Sequence, residues 1–133
     1  MEKTLLIVKP DAVEASLAGS ILAAIESAGF RISALEMREL DHEIAAEHYA
    51  EHSERPFFGE LVEFITRSPV VLARLEAPDC VAAFRQLAGA TNPEDAEEGT
   101  LRKRFGTSLQ ENAVHGSDSL QSANRELALF FGK

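Results

Sequence analysis

At 133 residues, 45% hydrophobic and 26% charged, the chain has the length and composition of one globular domain with one sizeable core, not of a disordered or fibrous protein. No apolar run is long enough to span a bilayer, so no membrane partner is expected. The formal net charge of −9 argues against duplex nucleic acid as the main partner, since phosphates would meet a repulsive average field, and no nucleic-acid partner is expected.

Thr4-Leu5-Leu6-Ile7-Val8 is a continuous apolar run stopped by Lys9-Pro10-Asp11 and predicts a buried strand. Leu17, Ile21, Ile25 and Ala28 recur at helical spacing, with Gly29 as the C-terminal cap. Phe30, Ile32 and Ala34 then alternate as in a strand, and the parity switch at Leu35 and Met37 predicts a bulge there. Asp41 is expected to cap a helix running to about Glu51. A second helix is expected from Phe57 to Thr66, with Phe58, Leu61 and Ile65 on one face. Pro69 to Leu75 predicts a third strand, followed by a helix capped by Asp79 that reaches Leu87 before Gly89. Residues Ala90 to Asn112 have weak periodicity. Leu101, Phe105 and Leu109 are read as anchors of an ordered, functional loop. The final helix is expected from Ser119, with Leu120, Ala123, Leu127 and Phe130 on one side.

This order predicts an α+β, ferredoxin-like split βαβ fold. It has a four-stranded antiparallel sheet, an inserted helical pair and a long ordered loop before the last strand. A single domain over residues 1–133 is expected. The lone cysteine, Cys80, fits a reducing compartment, and Met1-Glu2-Lys3-Thr4 has no basic n-region or cleavage site, so the expected location is cytoplasmic.

The charges are unevenly placed. Acids crowd residues 36–54 and 94–98, whereas Arg102-Lys103-Arg104 is basic, which suits a small anionic ligand on an acidic surface; salt tolerance would also produce such acidity. His115 stands before Gly116, Ser117, Asp118 and Ser119, all small or oxygen-bearing, with Glu126 on the following helix. A carboxylate on one ring nitrogen fixes the tautomer and makes the other a better nucleophile. Lys9 at the end of a strand, Arg85 late in a helix and Arg102 in the loop would, if they converged, supply the cationic donors that phosphoryl transfer requires. Thr91 and Asn112 bracket the loop as neutral donors, and one of Phe57 and Phe58 is available as a stacking platform.

His48-Tyr49-Ala50-Glu51-His52 also matches H-x-x-E-H, a weakly specific zinc-peptidase pattern that needs a third ligand and a cleft. No glycine-rich phosphate loop of the P-loop or protein-kinase type is present.

Over nearly its whole length the chain resembles the nucleoside diphosphate kinase family. The matching stretches are LLIVKPDAV, YAEHSERPFFGELVEFITRSPVV, GATNP, GTLR, NAVHGSDS and SANRELALFF, of which N-x-x-H-G-S-D is the family signature. The resemblance implies a ping-pong transfer in which His115 takes the γ-phosphate of a nucleoside triphosphate, typically ATP, as a phosphohistidine and passes it to a nucleoside diphosphate. It implies that Lys9, Tyr49, Arg85, Thr91, Arg102 and Asn112 surround the phosphates and ribose, with Arg55 a further electrostatic contributor. Phe57 would stack on the base beside Leu61 and Leu109, tolerant of base identity. Ser117 and Glu126 would orient His115. Mg2+ would be held mainly by the nucleotide phosphates, with Asp118 touching its water shell.

The family likeness also implies a homo-oligomer, either a dimer or dimers assembled into tetramers or hexamers. Ala15 replaces a basic residue common in relatives and bears on subunit contacts. Lys103-Arg104 alters the charge of the loop, and the tail ending at Lys133 is shorter than in many relatives. The alternative to an enzyme is a catalytically inactive ferredoxin-like nucleotide-binding module.

Overall fold

Strand β1 (Glu2–Val8) lies inside the sheet, with Leu5, Leu6, Ile7 and Val8 fully buried. A strand covered on both faces accounts for the unbroken apolar run. In the computed structural model, which describes residues 1–132, β1 pairs antiparallel with β3 (Val70–Ala77), Glu2 opposite Ala77 and Val8 opposite Val71. On its other side it pairs antiparallel with β4 (Val114–Gly116), Ile7 opposite His115. The edge strand β2 (Arg31–Arg38) pairs antiparallel with β3, which completes a sheet of order β2-β3-β1-β4. This is the expected split βαβ architecture. Lys133, the last residue of the expected domain and tail, lies outside the described residues.

One face of the sheet packs Leu6, Val8 and Leu75 against Ile21 and Ile25 of helix α2 (Ala18–Ser27) and Phe84 of α5 (Cys80–Ala88). The other packs Leu5, Ile7 and Leu72 against the inserted pair, α3 (His42–His48) and α4 (Phe58–Ile65), and against Leu127 and Phe130 of α7 (Leu120–Phe131). Asp41 and Ser119 act as the expected N-caps, accepting from the backbone N–H of Ile44 at 2.9 Å and of Ser122 at 3.0 Å. Gly29, at φ +100°, follows α2 in the left-handed conformation that ends a helix.

Several local expectations are corrected. A short helix α1 (Pro10–Glu14) follows β1; proline at its first position both stops the strand and starts the helix. The bulge falls at Ser33, between the pairs Ile32–Leu75 and Ala34–Arg74, where the guanidinium of Arg74 donates to Ser33 Oγ at 2.9 Å. Leu35 and Met37 stand exposed beyond it. Asp79 precedes α5 but adopts φ +49° and makes no side-chain cap. Leu120 opens α7 on its solvent side, 55% exposed.

The long loop is ordered by a 3-10 turn (Pro93–Asp95) and helix α6 (Leu101–Phe105), with Leu101 fully buried. Leu109 is 60% exposed and so is no core anchor. Among the described residues no helix is long and apolar enough to cross a membrane.

Candidate active site

The short strand β4 carries His115 beside β1, and α7 returns across it so that Glu126 faces the imidazole. His115 Nε2 and Glu126 Oε1 are 3.0 Å apart, and the same oxygen accepts a 2.6 Å hydrogen bond from Ser117 Oγ. Burial alone would raise the carboxyl's pKa, but the bonds from His115 and Ser117 outweigh it and hold Glu126 at about 2. An ionised Glu126 is an acceptor only, so Nε2 carries the shared proton and the lone pair of the neutral ring resides on Nδ1.

Ser117 is itself keyed to β1. Its Oγ accepts from Leu5 N–H at 3.2 Å, and its own N–H donates to Thr4 Oγ1 at 3.2 Å. It is fully buried behind the histidine, not at a cavity mouth. Gly116 also serves packing, since a Cβ there would lie 2.4 and 2.6 Å from two ring carbons of Phe84. Ser117 and Gly116 therefore answer to the sheet and to α5, and Gly116 and Asp118 also line the cavity beside His115.

His115 and Glu126 line a cavity of about 300 Å³ together with Tyr49, Arg85, Thr91, Arg102 and Asp118. A second cavity, of about 560 Å³, contains Lys9, Phe57, Leu61, Leu109 and Asn112, and shares Tyr49 and Thr91 with the first. The sequence-predicted residues thus form one polar and one largely apolar compartment meeting at two side chains. Arg55 lies exposed in the turn before Phe57 and lines neither. Phe57 is 41% exposed, whereas its neighbour Phe58 packs toward the core, as the two-aromatic pattern allowed.

Arg102 is anchored by its own bonds: its guanidinium donates to the carbonyls of Gly89 and Val114, both at 2.9 Å. Lys9 Nζ donates to Asn112 Oδ1 at 2.9 Å, and Asn112 Nδ2 donates to the carbonyls of Thr91 and Leu109, both at 3.0 Å. Withdrawal from water, followed by the nearby Arg102 cation, lowers the Lys9 pKa to about 8. Burial pushes the Tyr49 phenol up to about 12, with Glu126 adding to the effect. Lys9 and Arg102 stand in the two adjoining compartments, where an anion would neutralise their charge.

Three neighbours were missed in the sequence. The ring of His48 meets that of His115 edge-on at 5.0 Å between centroids, and burial, then His115, lowers its pKa to about 3, so it is neutral. Arg125 donates to the carbonyls of Glu47 and His48, tying α7 to α3. Asp11 accepts from the backbone N–H of Ala113 at 3.1 Å. The H-x-x-E-H spacing drew notice to His48 for a different reason.

That motif does not assemble. His52 lies beside Phe57, 5.7 Å between ring centroids, while His48 turns inward. Among the described residues, the group with metal-ligand spacing is His48, His115 and Glu126, whose donor atoms lie within 4.8 Å of one another. Two imidazoles and one carboxylate do not suit Mg2+, which takes oxygen ligands. Exposed Asp118 on the cavity wall offers a single carboxylate, which fits a magnesium ion carried on phosphate oxygens.

The family model described as nucleoside diphosphate kinase matches residues 2–133. The nucleoside diphosphate kinase of Nocardia farcinica is 55% identical, across 98% of this chain and 94% of its own length. That of Thermus thermophilus is 52% identical, across 98% and 96%. The solved structure of the Aquifex aeolicus nucleoside diphosphate kinase superposes with a TM-score of 0.96 at 45% identity, covering 98% of this chain and 94% of that one. A halophilic nucleoside diphosphate kinase from Halobacterium salinarum, solved in complex with CDP, superposes with a TM-score of 0.95 at 42% identity, covering 99% and 88%.

Proposed function

Because the chain belongs to the nucleoside diphosphate kinase family and acts as a phosphotransferase between nucleotides, we propose that His115 is the residue through which the γ-phosphate passes. The observation that carries this reading is the 3.0 Å contact of Nε2 with an ionised Glu126, which leaves Nδ1 as the nucleophile.

The Nδ1 lone pair attacks the γ-phosphorus, and the bond from phosphorus to the bridging oxygen breaks. The nucleoside diphosphate leaves with that electron pair. The Nε2 proton stays in place, and Glu126 stabilises the positive charge that the ring acquires. In the second half, a terminal oxygen of another nucleoside diphosphate attacks the phosphohistidine and restores the neutral ring, which makes the cycle ping-pong.

Lys9, Arg85 and Arg102 neutralise the charge spread over the phosphoryl oxygens, and Tyr49, Thr91 and Asn112 add neutral donors. Phe57, with Leu61 and Leu109, offers the base an apolar wall in the second cavity. Ser117 holds the far side of Glu126. Mg2+, carried on the phosphates with Asp118 reaching its water shell, would supply further charge neutralisation.

We read residues 1–133 as a single domain, cytoplasmic on the strength of its lone buried Cys80, with nucleotides and not nucleic acid as partners. A homo-oligomeric assembly is supported by the apolar Leu35 and Met37 exposed on edge strand β2. The inactive-module alternative gains no support from the site, whose cationic, nucleophilic and orienting side chains are all present.

Incubation with γ-labelled ATP is expected to give an acid-labile, base-stable label on the protein. Label of the same kind on His115→Ala would show that the nucleophile is another residue.

A further inference from the structure

Ala113 adopts φ +77°, the left-handed region that a residue with a Cβ rarely enters, and it is fully buried. The Val114 N–H bonds across it to the Asn112 carbonyl at 2.9 Å, which makes Ala113 the centre of a γ-turn of the strained, positive-φ kind. Strain of this type persists only where the surroundings impose it, and it gathers at functional sites.

The turn has a geometric consequence. In an extended chain, residues three apart point to opposite faces. Asn112 and His115 are three apart, yet both line the joined cavities. The γ-turn between them breaks the alternation and allows Ala113 and Val114 to stay in the core while Asn112 and His115 face the ligand compartments.

The segment Lys9-Pro10-Asp11 imposes this turn. Asp11 Oδ2 accepts the Ala113 N–H at 3.1 Å, and the Lys9 N–H donates to the Ala113 carbonyl at 2.8 Å. Lys9 Nζ then reaches Asn112 Oδ1 at 2.9 Å. Both polar atoms of the strained residue are thus held from one corner, whose geometry Pro10 stiffens. The Asp11 carboxylate accepts the Ala113 N–H through Oδ2 while its Oδ1 is buried without a partner. A buried, half-satisfied carboxylate is costly where only packing is at stake.

We propose that Asp11 is a positioning residue for phosphoryl transfer, which keeps Ala113 in its left-handed turn so that Asn112 and His115 face the nucleotide together. The inference rests on His115 as the phosphoryl carrier. Asp11 touches neither substrate nor His115; it acts through the Ala113 backbone.

The test is the rate of phosphoenzyme formation at saturating ATP in Asp11→Ala, Asp11→Asn, Ala113→Gly and the double variant Asp11→Ala/Ala113→Gly, with each rate normalised to folded protein by circular dichroism. Asp11→Ala is expected to slow the step by about tenfold or more, since displacement of a reacting group by about 1 Å costs up to about a hundredfold. Asp11→Asn keeps a carbonyl acceptor for the Ala113 N–H and is expected to stay within about threefold of the parent. Glycine enters the left-handed region freely, so Ala113→Gly makes the turn independent of Asp11; in that background the loss from Asp11→Ala is expected to shrink to about twofold.

An equal loss from Asp11→Ala in both backgrounds, or no loss in either, would overturn the proposal. Absence of phosphoenzyme in the unmutated protein would instead refute the His115 reading itself, so the two failures are distinguishable.

Discussion

Nε2 of His115 and Oε1 of Glu126 lie 3.0 Å apart, and that carboxylate oxygen also takes the Ser117 hydroxyl at 2.6 Å. The pair joins two elements that the chain reaches 11 residues apart, β4 and α7, and it is shielded by burial of Glu126. Orientation and charge are supplied by one group, so their loss is expected to appear together.

Glu126→Gln keeps the size of the side chain and removes its charge. Phosphoenzyme formation is expected to slow by about 10- to 100-fold with nucleotide affinity little changed, as for a group felt mainly in the transition state. Rapid-quench kinetics paired with equilibrium binding separates the two quantities. The folded-state pKa of Glu126 is lowered from 4.5 to about 2, so its contribution to stability is present above pH 4.5 and is lost as pH falls toward 2. The melting temperature of Glu126→Gln is therefore expected to fall less steeply across that range.

Lys9 sets an alkaline limit. Its pKa of about 8 means that it loses its charge as pH rises through that value, and phosphate affinity falls with it. A bound triphosphate raises the lysine pKa, so nucleotide binding near pH 8.5 is expected to take up protons. Calorimetry in buffers of different ionisation enthalpy measures this, and Lys9→Arg is expected to abolish it because arginine stays charged.

Gly116 and Phe84 form a packing pair. The Cβ of Gly116→Ala would meet Phe84 ring carbons at 2.4 and 2.6 Å, and the expected loss is about 1–3 kcal/mol of stability. Chemical denaturation measures it. Phe84→Leu, destabilising by itself, is expected to cost less in the Gly116→Ala background than in the parent.

Phe57 is exposed on the wall of the apolar cavity, where a base finds a π-face. Phe57→Ala is expected to weaken binding of purine and pyrimidine nucleotides alike by about 1 kcal/mol, roughly fivefold in Kd. Titration with several nucleoside diphosphates checks both the size and the evenness of the effect.

The elements legible in the chain are those whose pattern reports their own burial. Leu5–Val8 announces a strand covered on both sides, Asp41 and Ser119 announce helix starts, and His115 with Glu126 announces a pair to anyone who expects an activated imidazole. What escaped notice depends on partners distant in sequence. The bulge sits at Ser33 because Arg74 bonds there, and α1 forms because Pro10 can open a helix as well as stop a strand. Leu109 looked like a core anchor by composition but lies exposed on the wall of the second cavity. Asp11 carries no periodic signal at all; its importance emerges only when Ala113 is seen turned left-handed beside it.

The nitrogen that receives phosphorus tests this mechanism most directly. Glu126 occupies Nε2, so the phosphoenzyme prepared with ATP from 15N-histidine-labelled protein is expected to show phosphorus coupled to Nδ1 of His115 by NMR. Phosphorus on Nε2, or on any residue other than His115, would contradict the account.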